Sequence, residues 1–234
     1  DILAKKAEIP LAKYLNTNAK LEIEVNGLVG FHMPSDGFSV MKVKMGYQNL
    51  FDEIEQMVKL TYSFGEDVKF RLDLNCAFDL PKAIRFCKEM ETFNIDHIEQ
   101  PLSADNLEDL AELRYHTEIP IAVDESLTDL KSAEKILEEQ AADVFVIKPM
   151  VSGGFTECKK IINLAQTENI RTVVTSSLET FIGRTACLHL AAANEISEAC
   201  GLATSNLLNE EKPQIPIQGR TMFISNIPGV GLEL

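Results

Sequence analysis

From about residue 42 onward, a short apolar run and a longer amphipathic run alternate with a steady beat. The short runs, at residues 40–45, 70–75, 97–100, 120–124, 143–148, 172–176 and 199–203, predict β-strands. The longer ones, at residues 50–63, 80–93, 106–116, 130–140, 155–168 and 182–194, predict helices. The run at 130–140 shows the logic. Leu130, Ala133, Ile136 and Leu137 recur at helical spacing, while Lys131, Glu134, Lys135 and Glu138 face outward. Thr128 and Asp129, just before it, offer a hydroxyl and a carboxylate to its first turn.

Strands such as DVFVIKP (143–149) are apolar on both faces, as parallel strands covered by helices are. The strand–helix order fits either an α/β barrel of the (β/α)8 TIM type or a doubly wound sheet. Polar residues recur at the C-terminal end of nearly every strand, whereas an open sheet would gather them at one switch point. No GxGxxG follows the first strand, which weakens a dinucleotide-binding reading. The barrel is therefore the expected fold.

One region breaks the beat. Between an apolar run at 21–29 and the strand beginning at Val40 lie only a few residues, among them Pro34, Ser35, Asp36 and Gly37. A parallel crossover needs roughly a dozen or more. Either the two strands form a hairpin or a segment is absent, and absence restores the rhythm. Residues 21–29 are then strand one, and residues 4–15 form a helix that closes the ring or leads into it. The whole span 1–234 reads as one catalytic barrel domain, incomplete around residues 30–39.

Side chains alternate across a strand, so Lys42 and Lys44 share one side, as do Asp73 and Asn75. Glu99, Asp124 and Lys148 end the next three strands, and Ser176 and Ser177 finish the one after. In an eight-stranded ring this sets the two lysine groups across the mouth, with three carboxylates along the arc between them. Alone, each has a plain explanation as a helix cap, an ion-pair partner or a solvated charge. Together they are harder to dismiss, because grouped acids raise each other's pKa unless a cation compensates them. Three carboxylates without His or Cys describe a hard oxygen site suited to Mg²⁺ or Mn²⁺.

Acidic residues outnumber basic ones by 36 to 22, a net charge of −14 that argues against nucleic acid or anionic membrane as partners. Acidity by itself names no substrate. The five cysteines show no CxxC spacing, which predicts free, mostly buried thiols in a reducing compartment. No apolar run approaches the length of a membrane span, and residues 1–15 lack a signal-peptide core, so a soluble, cytoplasmic protein is expected. His32, His97, His116 and His189 show no ligand spacing. Gly153 and Gly154 predict a tight turn before a helix.

The segments KVK (42–44), RLDLN (71–75), IEQP (98–101), VDES (123–126) and VIKP (146–149) resemble the enolase superfamily, in its muconate-lactonizing subgroup. Within it, RLDLNCAF, VIKPMVSGG and TSSLET are most similar to the o-succinylbenzoate synthase family, lyases of menaquinone biosynthesis. The resemblance implies that Asp73, Glu99 and Asp124 bind Mg²⁺, with Asn75 supporting that shell or the substrate. It implies Lys44 as the base, with Lys42 beside it as a like charge favouring the neutral amine. Lys148 would face the substrate's other side as a cation, and Ser176 and Ser177 would hold a substrate carboxylate. The resemblance also implies an N-terminal α+β capping domain, so this sequence is expected to be part of a longer chain.

Three rivals stay open. A dipeptide epimerase or N-acylamino acid racemase would use both lysines for proton transfer. Epimerases for acidic dipeptides often carry an acidic motif on strand eight, where this sequence has Gly201-Leu202-Ala203-Thr204. A Schiff-base aldolase on Lys148 leaves the three acids without a job. A non-catalytic barrel would bind no metal.

Overall fold

A computed structural model describes residues 1–30, 37–208 and 215–231. The chain begins with two short helices, α1 (Ile2–Lys6) and α2 (Leu11–Leu15), followed by the short strands β1 (Glu22–Glu24) and β2 (Gly27–Leu28). Strands and helices then alternate: β3 (Val40–Lys44), α3 (Leu50–Phe64), β4 (Lys69–Asp73), α4 (Leu80–Met90), β5 (Ile95–Glu99) and α5 (Leu107–His116). The order continues with β6 (Ile121–Val123), α6 (Leu130–Glu138), β7 (Val144–Ile147), α7 (Phe155–Thr167), β8 (Arg171–Val174) and α8 (Phe181–Ala193). Two short strands, β9 (Ile217–Gln218) and β10 (Thr221–Phe223), come last.

Seven strands, β2 to β8, pair in sequence order, each parallel to its neighbour. The eighth position of the ring is filled by the segment around Cys200 without a regular ladder. Isolated parallel bridges join Val25 to Cys200 and Thr175 to Gly201. The Gly201 amide donates to the Val174 carbonyl on one side, and the Asn26 amide donates to the Cys200 carbonyl on the other. Glycine is required here, since a Cβ at 201 would lie 2.2 Å from Thr175 Oγ1. The barrel expected from the alternation is present, but the strand predicted at 199–203 is only this pair of bridges.

Two other expectations are corrected. Residues 4–15 do not form one helix, because Pro10 cannot donate in a helix interior and instead caps α2. Residues 21–29 split into two strands. β2 lies parallel to β3, which rules out a hairpin between them. β1 pairs antiparallel with β10, and β10 with β9, in a separate three-stranded sheet. The turn between β9 and β10 uses Gly219 at φ 59°, the left-handed conformation that such tight hairpins need. Pro34, Ser35, Asp36 and His32 lie outside the described residues, and with them much of the region expected to be incomplete.

Helix starts are encoded locally. Asn49, Asp79, Asn106 and Asp129 each accept a hydrogen bond from the amide three residues on, at the N-termini of α3, α4, α5 and α6. Each such cap is worth about 1 kcal/mol. The outward faces of the strands and the inward faces of the helices make the main core, with Phe70, Leu72, Phe86, Phe145 and Ile161 all fully buried. His189, on α8, belongs to the buried interior. All five cysteines are free. Among the described residues no helix is long and apolar enough to cross a membrane.

The inside of the ring is divided. On β6, β7 and β8 the inward positions Ala122, Val144, Val146 and Val173 form a small apolar cluster of their own. On β3, β4 and β5 the corresponding positions are Lys42, Arg71, Asp73, His97 and Glu99, paired across the strands in register. Period-two alternation thus fills one half of the ring with hydrocarbon and the other with charge.

Candidate active site

The charged half opens at the C-terminal ends of the strands into a cavity of about 570 Å³. Its walls include Lys42, Lys44, Asp73, Asn75, Asp124 and Lys148, with Ser176 and Ser177 on the far side. Of the nine residues anticipated from sequence, eight line this one cavity, and Glu99 lies buried beneath Lys42.

Lys42 Nζ lies 2.8 Å from Glu99 Oε1 and 3.0 Å from Asp73 Oδ2. Burial alone would drive Lys42 toward the neutral amine, but Glu99 and Asp73, with Asp124 adding, hold it above the usual lysine range. Glu99 is pushed up by burial, which Lys42 opposes and the neighbouring Asp73 and Asp124 reinforce. The resemblance gave Lys42 the role of a like charge beside Lys44, but its ammonium is turned into the acids. Lys44 is 56% exposed, and its Nζ donates to Asn75 Oδ1 over 2.7 Å while standing 4.0 Å from Asp73 Oδ2. Across the mouth, Lys148 Nζ pairs with Asp124 Oδ2.

Asn75 is oriented by both ends of its amide. Its Oδ1 accepts from Lys44, and its Nδ2 donates to Glu125 Oε1 over 3.0 Å. Gln100, a residue the sequence analysis did not single out, locks the ends of β5 and β6 together. Its Oε1 accepts from the amides of Asp124 (3.0 Å) and Ser126 (3.1 Å). Its Nε2 donates to Ser126 Oγ (2.8 Å) and to the Leu102 carbonyl (3.1 Å). A signal for it existed in the IEQP segment, where a polar residue precedes the proline that ends the strand.

The floor of the charged half is a closed ion network. Arg71 Nε lies 2.7 Å from Asp96 Oδ2, and Arg171 Nη2 lies 2.7 Å from Asp96 Oδ1 and 2.8 Å from Glu198 Oε2. Burial would raise the Asp96 pKa, yet His97, Arg71 and Arg171 hold it well below the carboxylate range. His97, entirely buried above this floor, is pushed down by desolvation, which Asp96 opposes. These groups stiffen the base on which Asp73 and Glu99 stand.

The donor set fits a hard divalent cation in its chemistry: three carboxylates on adjacent strands, and an Asp73 Oδ1 that is buried without a hydrogen-bond partner. As the side chains stand, lysines take the cation's part. Among the described residues no three His, Cys, Asp or Glu side chains converge as a metal-holding group, since Lys42 engages Asp73 and Glu99 while Lys148 engages Asp124.

A profile of the family described as "Enolase C-terminal domain-like" matches residues 32–234. The chain is 32% identical over 191 residues to the o-succinylbenzoate synthase of Thermobifida fusca, covering 79% of this chain and 59% of that protein. It is 30% identical over 211 residues to an L-amino acid-D/L-Glu epimerase of Francisella philomiragia, covering 85% and 59%. A dipeptide epimerase of Enterococcus faecalis V583, solved with Mg and the dipeptide L-Leu-L-Tyr, superposes with a TM-score of 0.89 at 25% identity. That alignment covers 98% of this chain and 69% of the other. The chain thus spans 59% of the length of the two curated relatives, which differ from each other in the reaction they catalyse. With its closed ring, its strand-end lysines and carboxylates, and a profile match over most of its length, this chain belongs to the Enolase C-terminal domain-like family.

Proposed function

We propose that this chain is the catalytic barrel of a Mg²⁺-dependent dehydratase of the o-succinylbenzoate synthase type. The observation that carries the reading is an amine on each side of one cavity, Lys44 and Lys148, with the acids Asp73 and Asp124 between them. Asp73, Glu99 and Asp124 would hold the metal. Bound there, Mg²⁺ supplies positive charge to a substrate carboxylate and so acidifies the adjacent C–H bond.

Lys44, fixed by Asn75, removes the α-proton as a free amine, and the bonding pair moves into the carboxylate to give an ene-diolate. Lys148 faces that charge as an ammonium. The proton on Lys44 then passes to the β-hydroxyl as its C–O bond breaks, and water leaves. Formation of an aromatic ring favours the last step. As the side chains stand, Lys42 compensates Glu99 and Asp73, a charge that a bound cation would take over.

A dehydratase is favoured over an epimerase of acidic dipeptides by the composition of the opposite wall. Gly201, Ala203, Thr204 and Leu207 line it, and among the described residues the acids lining the cavity are Asp73 and Asp124, both turned to lysines. Among the described residues, no acid lining that wall stands ready to hold a substrate ammonium. Epimerisation is the second reading, supported by the opposed lysines and by the epimerase relative. A Schiff-base aldolase has less support, because the Lys148 amine is engaged by Asp124.

Incubation with the menaquinone precursor in D₂O separates the two. A dehydratase builds aromatic absorbance and releases water, whereas an epimerase exchanges α-protons of recovered substrate without either. Lys44→Ala should lose about a hundredfold or more in rate. Equal rates in wild type and Lys44→Ala would remove Lys44 as the base.

A further inference from the structure

The hydroxyl of Ser176 is fully used within the protein. It donates to Glu179 Oε2 over 2.6 Å, and it accepts from the Leu178 amide at 3.0 Å and from Thr204 Oγ1 at 3.2 Å. The Ser177 amide donates to the same Glu179 oxygen over 2.7 Å. The loop after β8 therefore already holds a carboxylate on one hydroxyl and one amide, and that carboxylate is its own. Glu179 Oε1 and Ser177 Oγ, by contrast, are both buried without a hydrogen-bond partner.

The loop is shaped around this arrangement. Leu178 has φ 65°, a left-handed conformation that is costly for a residue with a branched side chain. Gly183, in the first turn of α8, leaves room for the stem of Glu179, since a Cβ there would lie 2.5 Å from Glu179 Cβ. Ser176, Ser177 and Leu178 face the cavity, so whatever fills their donors shapes what the cavity accepts.

We infer that Glu179 is a specificity-determining residue: its carboxylate occupies the Ser176 hydroxyl and the Ser177 amide, and a ligand's second carboxylate reaches these two donors only by displacing it. The inference rests on the proposed reading that the cavity takes small carboxylates. Two anions cannot share these donors, because juxtaposed like charges in a partly buried loop repel. A ligand with a single carboxylate, held at the acid and lysine end of the cavity, is indifferent to Glu179. A dicarboxylate binds against it.

Equilibrium titration with Mg²⁺ present tests this, using o-succinylbenzoate as the dicarboxylate and benzoate as the monocarboxylate. Glu179→Ala frees both donors and should tighten o-succinylbenzoate about tenfold, while benzoate changes less than about twofold. Glu179→Gln removes the charge but keeps an acceptor, so it should fall between wild type and Glu179→Ala. Gly183→Ala keeps the acid but crowds its stem, and should shift o-succinylbenzoate in the same direction. Tightening cannot come from a damaged fold, so the sign separates specificity from structural support. Unchanged or weaker o-succinylbenzoate binding in both Glu179 variants would overturn the inference, as would no binding to any form. Dehydration by the wild type is read separately. Tightening without dehydration keeps the role of Glu179 and removes the proposed reaction, and dehydration without tightening does the reverse.

Discussion

The ammonium of Lys42 bridges two buried carboxylates, 2.8 Å from Glu99 Oε1 and 3.0 Å from Asp73 Oδ2. It is the cation that makes a buried acid pair tolerable inside the ring. Lys42→Met leaves Glu99 and Asp73 uncompensated and should destabilise the fold by roughly 3 kcal/mol at neutral pH. Glu99 already has a raised pKa from burial, and losing Lys42 raises it further. A group raised in the folded state contributes stability below its unfolded pKa and loses it as pH rises. The deficit of Lys42→Met should therefore shrink on acidification, as read by denaturant unfolding at several pH values. A deficit independent of pH would argue against charge as its cause.

Divalent cation binding has to release Asp73, Glu99 and Asp124 from their lysines, and its signature is thermal. At Mg²⁺ a hundredfold above its dissociation constant, the fold should gain about 2.7 kcal/mol. Glu99→Gln and Asp124→Asn should each move the midpoint of this stabilisation to higher Mg²⁺. Absence of any melting shift at millimolar Mg²⁺ would sink the metal assignment.

Gln100 is completely buried, and three of its four side-chain hydrogen bonds join the ends of β5 and β6. Gln100→Leu strands the amides of Asp124 and Ser126 without an acceptor, at roughly 3 kcal/mol in total. Because Asp124 is one of the stranded residues, Mg²⁺ affinity should fall alongside stability. A variant that loses stability but binds Mg²⁺ as wild type would show that Gln100 does not position Asp124.

His189 ties α8 to α2, accepting a hydrogen bond from the Ala12 amide at Nδ1 over 3.0 Å. That bond needs an unprotonated nitrogen. Burial is the main reason the His189 pKa falls from 6.5 to about 4, with the Val230 backbone partly opposing it. The unfolded chain therefore binds the proton first, and stability present above pH 6.5 is lost as pH falls toward about 4. The loss should reach roughly 3 kcal/mol. In His189→Gln, whose side-chain oxygen can accept from Ala12, the melting temperature should be flatter across that window. An equal slope in both would show that other groups carry the acid sensitivity.

Much of the architecture was legible because it is local. Strand alternation put Lys42 with Lys44 and Asp73 with Asn75, and Asp129 announced the start of α6. The short elements were not legible. β1, β9 and β10 span two or three residues each, too few for a periodicity, and the helix expected over 4–15 ran through Pro10.

The amino-acid pattern alone determined which residues face the inside of the ring, since period two and strand order require nothing beyond the chain itself. Tertiary structure alone decided which charge meets which. Lys42 turns to Glu99, 57 residues away, instead of standing as a bare cation beside Lys44. The Ser176 hydroxyl is spent on Glu179 and Thr204, and Cys200 and Gly201 close the ring through one isolated bridge each. Such pairings are set by distance and burial in three dimensions, where desolvation forces each buried charge to find the nearest opposite one.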